Sequence, residues 1–435
     1  MQDTYDAIVV GAGPSGSVAA YIMARGGLKV LLLERGTYPG SKNMFGGTIY
    51  AVPTAEIFPE FWEEAPWERA VTTEYLYFLD DNSAFQIGFT NQTYGKPPYN
   101  KLVVHRGKFD SWLAQKAVSE GAVLQTHSLV TRLLYSEHRF SKGRVQGVEL
   151  DNGQKYYADI VILAEGINAF LTKQAGLRSD IPAETVKLYV KQVFRLPRDI
   201  MEERFHLDGD EGAVYGFVGY PTAGIIGKAG IWLGKETLGL IVGGFLNQLA
   251  QKRMSPYELL ERTKRHPMIS RLLRGAEPIE YAAHMIPKGG FKMIPQLYDH
   301  HLLVAGDAAT MVSGRRGTDL AMLSGKMAAE IALQAHAKGD FSQKILAGYG
   351  WKINESFFMN DIRAKKNYDK YVKKYQDSDY LISRAMNEFG SAYFRVDMSA
   401  EQDKMKRIQQ ELKQMQLPLK SVKDVWQALR NWEVL

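Results

Sequence analysis

The sequence predicts an α/β protein in which a parallel-sheet unit is interrupted by an antiparallel sheet and followed by a helical, basic C-terminal region. Three observations predict this. YDAIVV, GAGPSG, SVAAYIMARG and KVLLLE run as strand, glycine turn, helix and strand, a β–α–β unit of about 30 residues. From about Asp180 to Asp299 the pattern changes to longer strands, TVKLYVKQVFRL, GAVYGFVGY and LGLIVGGF, with one helix, SPYELLERTKRHPMISRLLRG. HLLVAGDAA then restores the parallel-sheet character. The expected boundaries are 1–179 with 300–340 for the first unit, 180–299 for the inserted sheet and 341–435 for the helical region.

Within the first segment, the loop PGSKNMFGG (Pro39–Gly47) is too polar for a core strand and too apolar for a plain surface loop. EYLYFLD and AFQIGFT alternate as antiparallel strands do. KFDSWLAQKAVSEG has helical spacing, with Phe109, Trp112, Leu113 and Ala117 on one face. AVLQTH, LVTRLLY, RVQGVEL and ADIVILAEG read as strands returning to the first sheet. GTDLAMLSGKMAAEIALQAHAKG is a long helix, and the remainder is mostly helical, ending in the heptad-like EQDKMKRIQQELKQ.

Composition bounds the chemistry. The 435 residues are 45% hydrophobic and 23% charged, as in soluble globular proteins. Without a single cysteine, this chain offers no disulfide, thiolate nucleophile or cysteine-held iron–sulfur cluster. MQDTYDAIVVG lacks the basic and apolar regions of a secretory signal. The longest apolar run, Leu238–Leu246, falls well short of the roughly 20 residues of a membrane span. Net charge is +6; residues 341–435 hold 17 Lys/Arg against 12 Asp/Glu and so supply +5 of it. The densest stretch, RAKKNYDKYVKK, reads as a solvated helix face, or as a surface for anionic lipid or an acidic partner. No nucleic-acid-binding module accompanies the charge.

The motifs specify a nucleotide cofactor. GAGPSG spaces Gly11, Gly13 and Gly16 so that the chain turns tightly and a pyrophosphate approaches the backbone at a helix N-terminus. Glu34 ends the second strand, where a carboxylate accepts from ribose hydroxyls and disfavours a 2′-phosphate. HLLVAGDAAT resembles the second flavin signature of FAD-dependent reductases and hydroxylases, with Asp307 on the ribityl chain, and selects FAD over NAD. VHRGKFDSWL matches that superfamily's arginine position, placing Arg106 against pyrophosphate charge. ILAEGINAFL resembles its Asp-Gly motif with Glu165 in place of aspartate before Gly166. There is one GxGxxG and no CxxC, hence no second nicotinamide-binding unit and no dithiol relay.

GSKNMFGG (Gly40–Gly47), YAAHMIPKGG (Tyr281–Gly290) and GDAATMVSGRRGTDLAMLSGKMAAE (Gly306–Glu330), in register with GAGPSG and RGKFDSWL, make the chain resemble electron-transfer-flavoprotein:quinone oxidoreductases of the FixC type over roughly residues 1–375. The resemblance implies a glutathione-reductase/hydroxylase-type FAD domain and one FAD. It also implies electrons from electron-transfer flavoprotein subunits and delivery to membrane quinone, within an electron-bifurcating complex. Because the chain has no cysteine, any cluster belongs to a separate ferredoxin-like iron–sulfur subunit. The implied location is cytoplasmic, peripheral on the inner face of the cell membrane. The cofactor residues implied are Gly11, Gly13, Ser15, Gly16, Glu34, Arg35, Lys42, Gly46, Gly47, Arg106, Val130, Gly166, Asp307, Gly317, Thr318 and Leu320. His284, Pro287, Gly289 and Gly290 are implied for quinone; no side chain is assigned acid–base catalysis and no metal is expected.

GFVGYPTAGIIG and LGLIVGGFL read as core strands or as lining for an isoprenoid tail. SGRRGTDLA departs from the family's His-Gly-Glu-Gly-Ile-Asn-like run, and Arg315 and Arg316 are expected beside the flavin's N1–C2 edge, raising its potential. The alternatives are a geranylgeranyl-reductase-like isoprenoid reductase, an aromatic hydroxylase, and a flavin-containing docking subunit.

Overall fold

The computed structural model describes residues 4–42, 46–136, 143–288, 290–364 and 378–396, with isolated positions between 398 and 410. Most of RAKKNYDKYVKK, the tripeptide NMF at 43–45, Gly289 and most of the heptad-like stretch lie outside the described residues. The chain forms two compact units: residues 1–67, 104–182 and 286–366 make the first, and 68–103, 183–285 and 367–435 the second.

The first unit is built on a sheet whose order is Tyr298–Asp299, Leu302–Val304, Lys155–Leu163, Thr4–Val10, Val30–Leu33, Val123–Gln125. All neighbours are parallel except the Tyr298–Asp299 pairing, and the strands Val130–Tyr135 and Val145–Leu150 extend the Lys155–Leu163 strand as an antiparallel meander. Continuous apolar runs explain the parallel core: Val30–Leu33 is buried at every position, as both faces of a helix-covered sheet require. On one of those faces the helix Pro14–Arg25 packs on the helix Thr318–Lys338. Their approach is close enough that a Cβ on Gly325 would stand 2.1 Å from the Ser15 carbonyl oxygen. Tyr349, from the helix Gln343–Glu355, is fully buried and donates to the Val304 carbonyl at 2.9 Å. That contact ties residues beyond 340 to this unit.

The second unit carries a sheet ordered Glu277–Pro287, Val186–Arg195, Thr237–Phe245, Gly227–Leu233, Glu211–Gly219, Trp67–Leu79, with Ala84–Thr90 as a hairpin partner of the last. It is not wholly antiparallel: Glu211–Gly219 runs parallel to Trp67–Leu79 over nine residues. That pairing draws residues 68–103 into this unit, away from the 1–179 segment in which the sequence pattern had placed them. Alternation fixes the buried face, where Val190, Phe194, Leu238, Leu240, Val242, Ile231 and Phe217 meet Met201, Leu259 and Ile269 of the covering helices. Each such fully buried side chain contributes about 2 kcal/mol.

Two local details follow from sequence. Ser255 and Glu258 form a reciprocal capping box that starts the helix Pro256–Arg265. His266-Pro267 then ends it and opens a second helix, Pro267–Leu272, so the segment expected as one helix is two. Arg69 is fully buried and donates to the carbonyls of Gly234, Gly209, Glu211 and Lys235 and to Glu202, knitting the sheet's ends together. In the C-terminal part, the helix Ser378–Phe394 joins this unit through Asn387, which donates to the Phe78 carbonyl at 2.8 Å.

Candidate cofactor site

The glycine turn has the geometry its residues demand. Gly11 has φ +101°, and a Cβ there would meet the Ala164 carbonyl at 2.4 Å; one on Gly16 would meet the Gly11 carbonyl at 1.9 Å. At Gly13 a Cβ would meet nothing within 4 Å, so the second glycine opens onto free space. The helix Pro14–Arg25 begins there with no side-chain cap and no acidic residue in its first turn. Its N–H groups and dipole are left to an anion. The buried hydroxyl of Ser15 has no partner among the described residues.

Glu34 is almost fully buried and holds the turn, accepting from Ala12 N at 3.1 Å and Gly36 N at 2.7 Å. Each carboxylate oxygen keeps a second lone pair for ribose hydroxyls. Arg35 and Lys42 are exposed; Gly46 and Gly47 start the strand Gly46–Tyr50; Val130 is buried at the head of the meander.

The second motif packs directly on the first. Gly306, φ +67°, lies so near Ser15 that a Cβ would approach the serine Cβ to 2.9 Å. Asp307 follows in the turn Gly306–Ala309, half-buried by area but ringed by protein. Burial pushes its carboxyl up to about 6, against the pull of Arg106, Lys288 and Arg178. Arg106 opens the helix Arg106–Ser119, grips Asp110 bidentately at 2.7 and 2.9 Å and donates to Thr318 Oγ1 at 3.2 Å. Burial opposes its charge, but Asp110 more than offsets this and holds the guanidinium above its ordinary value. The arginine is therefore matched by an internal acid, and only its third nitrogen reaches the helix Thr318–Lys338.

That helix starts at Gly317, where a Cβ would meet only Val312, at 3.8 Å. Leu320 is fully buried beneath it. Asp319 is buried, its carboxyl raised by desolvation against the pull of Arg316, whose guanidinium lies 2.6 Å away. Arg316 also lies over the rings of Phe357 (4.7 Å) and Tyr50 (5.8 Å), so its charge is compensated within the protein. Glu165 accepts from Leu171 N, Thr172 N and Thr172 Oγ1 and so closes the helix Phe170–Gln174. Gly166, φ +75°, faces open space.

Of the expected quinone residues, Pro287 and Gly290 belong to the first unit and His284, half-buried on an edge strand, to the second; Gly289 is outside the described residues. Two cations near Asp307 are not among the expected cofactor residues. Arg178, nine-tenths buried, donates to the Met293 carbonyl and to Thr310 Oγ1. Lys288, within YAAHMIPKGG, donates to the Gly314 carbonyl at 2.7 Å. Arg178 sits in a loop without a motif, so only the long-range fold reveals it.

An uncapped helix start, an orphan buried hydroxyl beside it, open glycines at 13, 166 and 317, and a desolvated acid ringed by cations fit the diphosphate, ribityl chain and ring of FAD. Comparison with known proteins agrees. Residues 6–224 match the FAD dependent oxidoreductase family, and residues 366–433 match the ETF-QO/FixC family C-terminal domain. Protein FixC of Bradyrhizobium diazoefficiens is 37% identical over 93% of this chain and 94% of its own length. That of Azorhizobium caulinodans is 38% identical over 94% of each. Among solved structures, a geranylgeranyl bacteriochlorophyll reductase-like protein from Thermoplasma acidophilum superposes with a TM-score of 0.69 at 20% identity, covering 99% of this chain and 96% of that one. The myxobacterial halogenase CndH does so with 0.64 at 16%, over 100% and 98%. These two share the fold. Matched along nearly its whole length by relatives 37% and 38% identical, and by that C-terminal domain, the chain belongs to the ETF-QO/FixC family of FAD-dependent oxidoreductases.

Proposed function

We propose that this flavoprotein accepts electrons from electron-transfer flavoprotein subunits and passes them to a membrane quinone, as one subunit of an electron-bifurcating complex. The observation that carries the reading is the near full-length similarity to FixC proteins together with the ETF-QO/FixC C-terminal match. With no cysteine in the chain, a cysteine-held cluster in the relay belongs to a separate ferredoxin-like subunit. Among the described residues no helix is long and apolar enough to cross a membrane. We assign the contact with quinone to the membrane surface, at the inner face of the cell membrane.

FAD, when bound, supplies the electron chemistry. The protein binds and orients it. The turn at Gly11–Gly16 and the helix behind it hold the diphosphate, Glu34 the ribose, and Asp307 the ribityl chain. The start of the helix Thr318–Lys338, which its N-cap residue Gly317 leaves without a side-chain cap, would offer its N–H groups to the ring and favour negative charge there. His284, Pro287, Gly289 and Gly290 are the residues we assign to the quinone.

Anaerobic reoxidation tests the assignment. The purified protein is reduced and its visible spectrum followed on adding a short-chain naphthoquinone, with air as the comparison. Fast reoxidation by quinone and slow reaction in air is the expected result. Indifference to quinone with rapid, substrate-dependent oxygen use would make the chain a hydroxylase; indifference to both would leave an isoprenoid reductase or a docking subunit.

A further inference from the structure

Arg178 stands out in the first unit because its two terminal nitrogens have unequal fates. Nη2 is committed: it donates to the Met293 carbonyl and to Thr310 Oγ1, and Thr310 Oγ1 donates to the same carbonyl at 2.9 Å. Nη1 is buried and has no hydrogen-bond partner among the described residues. A buried guanidinium N–H left unmade is costly, and native proteins seldom leave one without a reason.

Among the described residues nothing around it supplies the missing acceptor. The acids that act on Arg178 are Glu165 and Asp307. Glu165 accepts its bonds from Leu171 and Thr172, and Asp307 takes none from Arg178. Thr310, the residue that grips Nη2, closes the turn that begins with Gly306-Asp307 and takes a left-handed φ of +61°, unusual for a β-branched residue. That strained turn is the one that bears the ribityl aspartate. The unmatched N–H thus belongs to a guanidinium that holds this turn and acts on Asp307, an acid whose charge is poorly solvated.

We propose that Arg178 is a further cofactor-contacting residue: Nη2 fixes the 306–310 turn against Met293, while Nη1 donates to an oxygen of bound FAD. Its fork distinguishes it from Arg106, whose Nε and Nη2 are already occupied by Asp110. Arg106 is matched by Asp110 and Arg316 by Asp319, whereas the hydrogen bonds of Arg178 go to the Met293 carbonyl and Thr310 Oγ1. Its charge therefore bears on the cofactor and favours the more negative, reduced form. The inference rests on FAD binding and is independent of the acceptor, so its failure would leave the quinone assignment standing, and the reverse.

The test is Arg178→Gln and Arg178→Lys in the full chain, read by FAD dissociation and by the flavin midpoint potential in a dye-coupled redox titration. Arg178→Gln is expected to weaken FAD about tenfold. Its preference for reduced over oxidised flavin is also expected to fall about tenfold, which is about 30 mV for a two-electron couple. Arg178→Lys keeps the charge and loses the fork: the potential returns at least halfway while FAD affinity stays weakened. Lower thermal stability with unchanged affinity and potential in Arg178→Gln would reduce the residue to an internal clamp and overturn the inference. If the glutamine variant does not fold, the lysine variant decides alone, and parental FAD affinity there would overturn it.

Discussion

The two turns that meet at Ser15 and Gly306 recognise the same cofactor by opposite means. The first, Gly11–Gly16, is a matter of shape: its residues are small, the buried acid Glu34 holds Ala12 and Gly36, and its donors are backbone N–H groups. The second, Gly306–Asp319, is a matter of charge. It holds two desolvated carboxylates, Asp307 and Asp319, each raised by burial and each opposed by cations. Shape resides in six consecutive residues. Charge is assembled from Arg106, Arg178, Lys288 and Arg316, which come from four separate stretches of chain. The first turn should therefore fail by steric exclusion, independent of pH, and the second by electrostatics.

Gly16→Ala breaks the shape-based turn and carries the largest effect. A methyl there would sit 1.9 Å from the Gly11 carbonyl oxygen, so the turn must open. A displacement costing about 3 kcal/mol corresponds to roughly a hundredfold weaker FAD. Isothermal titration of the flavin-free protein with FAD checks it, and the loss should be equal at pH 5.5 and pH 8. A pH-dependent loss would mean that the first turn, too, works by charge.

The same division decides what could be read in the chain itself. GAGPSG, the strand on either side and Glu34 are adjacent in sequence, so spacing alone recovers the turn, its helix and the class of ligand. Asp307 is recognisable for the same reason, sitting between an apolar strand and a helix. Arg178 is one arginine in AGLRSD, outside every motif; its meaning comes from Met293 and Thr310, more than a hundred residues away. Arg316 illustrates the converse. Its position beside a helix start suggested a free charge at the flavin, yet Asp319, Phe357 and Tyr50 engage it. Sheet membership follows the same logic: the strand Trp67–Leu79 looks local, but its parallel register with Glu211–Gly219 is set by partners some 140 positions downstream. The break at His266-Pro267 was in plain view, and only the continuity of helical spacing across it hid the second helix start.

Asp307→Asn sharpens the electrostatic half. The folded chain without cofactor raises this carboxyl from 3.8 to about 6, so the folded state binds the proton more tightly than the unfolded one. The stabilisation linked to that proton is complete below pH 4 and lost as pH rises through 6. The loss amounts to at most about 3 kcal/mol. Replacing the acid by its neutral isostere should flatten the stability of the flavin-free protein between pH 4 and 6.5, seen as a smaller change in the urea midpoint. An unaltered pH profile would show that the three cations, and not burial, set the charge state of Asp307.

The smallest expected effect lies where the turns touch, and it changes sign with the cofactor. Ser15 buries a hydroxyl that makes no hydrogen bond among the described residues. Removing it in Ser15→Ala relieves an unmet donor, so the flavin-free protein should gain up to about 1 kcal/mol in stability. The helix it starts loses nothing, because Ser15 lies inside the helix and not at its cap. With FAD bound, the hydroxyl has a diphosphate to donate to, and its removal should weaken binding about fivefold, roughly 1 kcal/mol. Thermal denaturation with and without FAD measures both. A variant destabilised in both states would make the hydroxyl a packing element of the Gly306 contact; opposite signs would show that the protein keeps an unsatisfied group at the meeting point of its two turns for the ligand to complete.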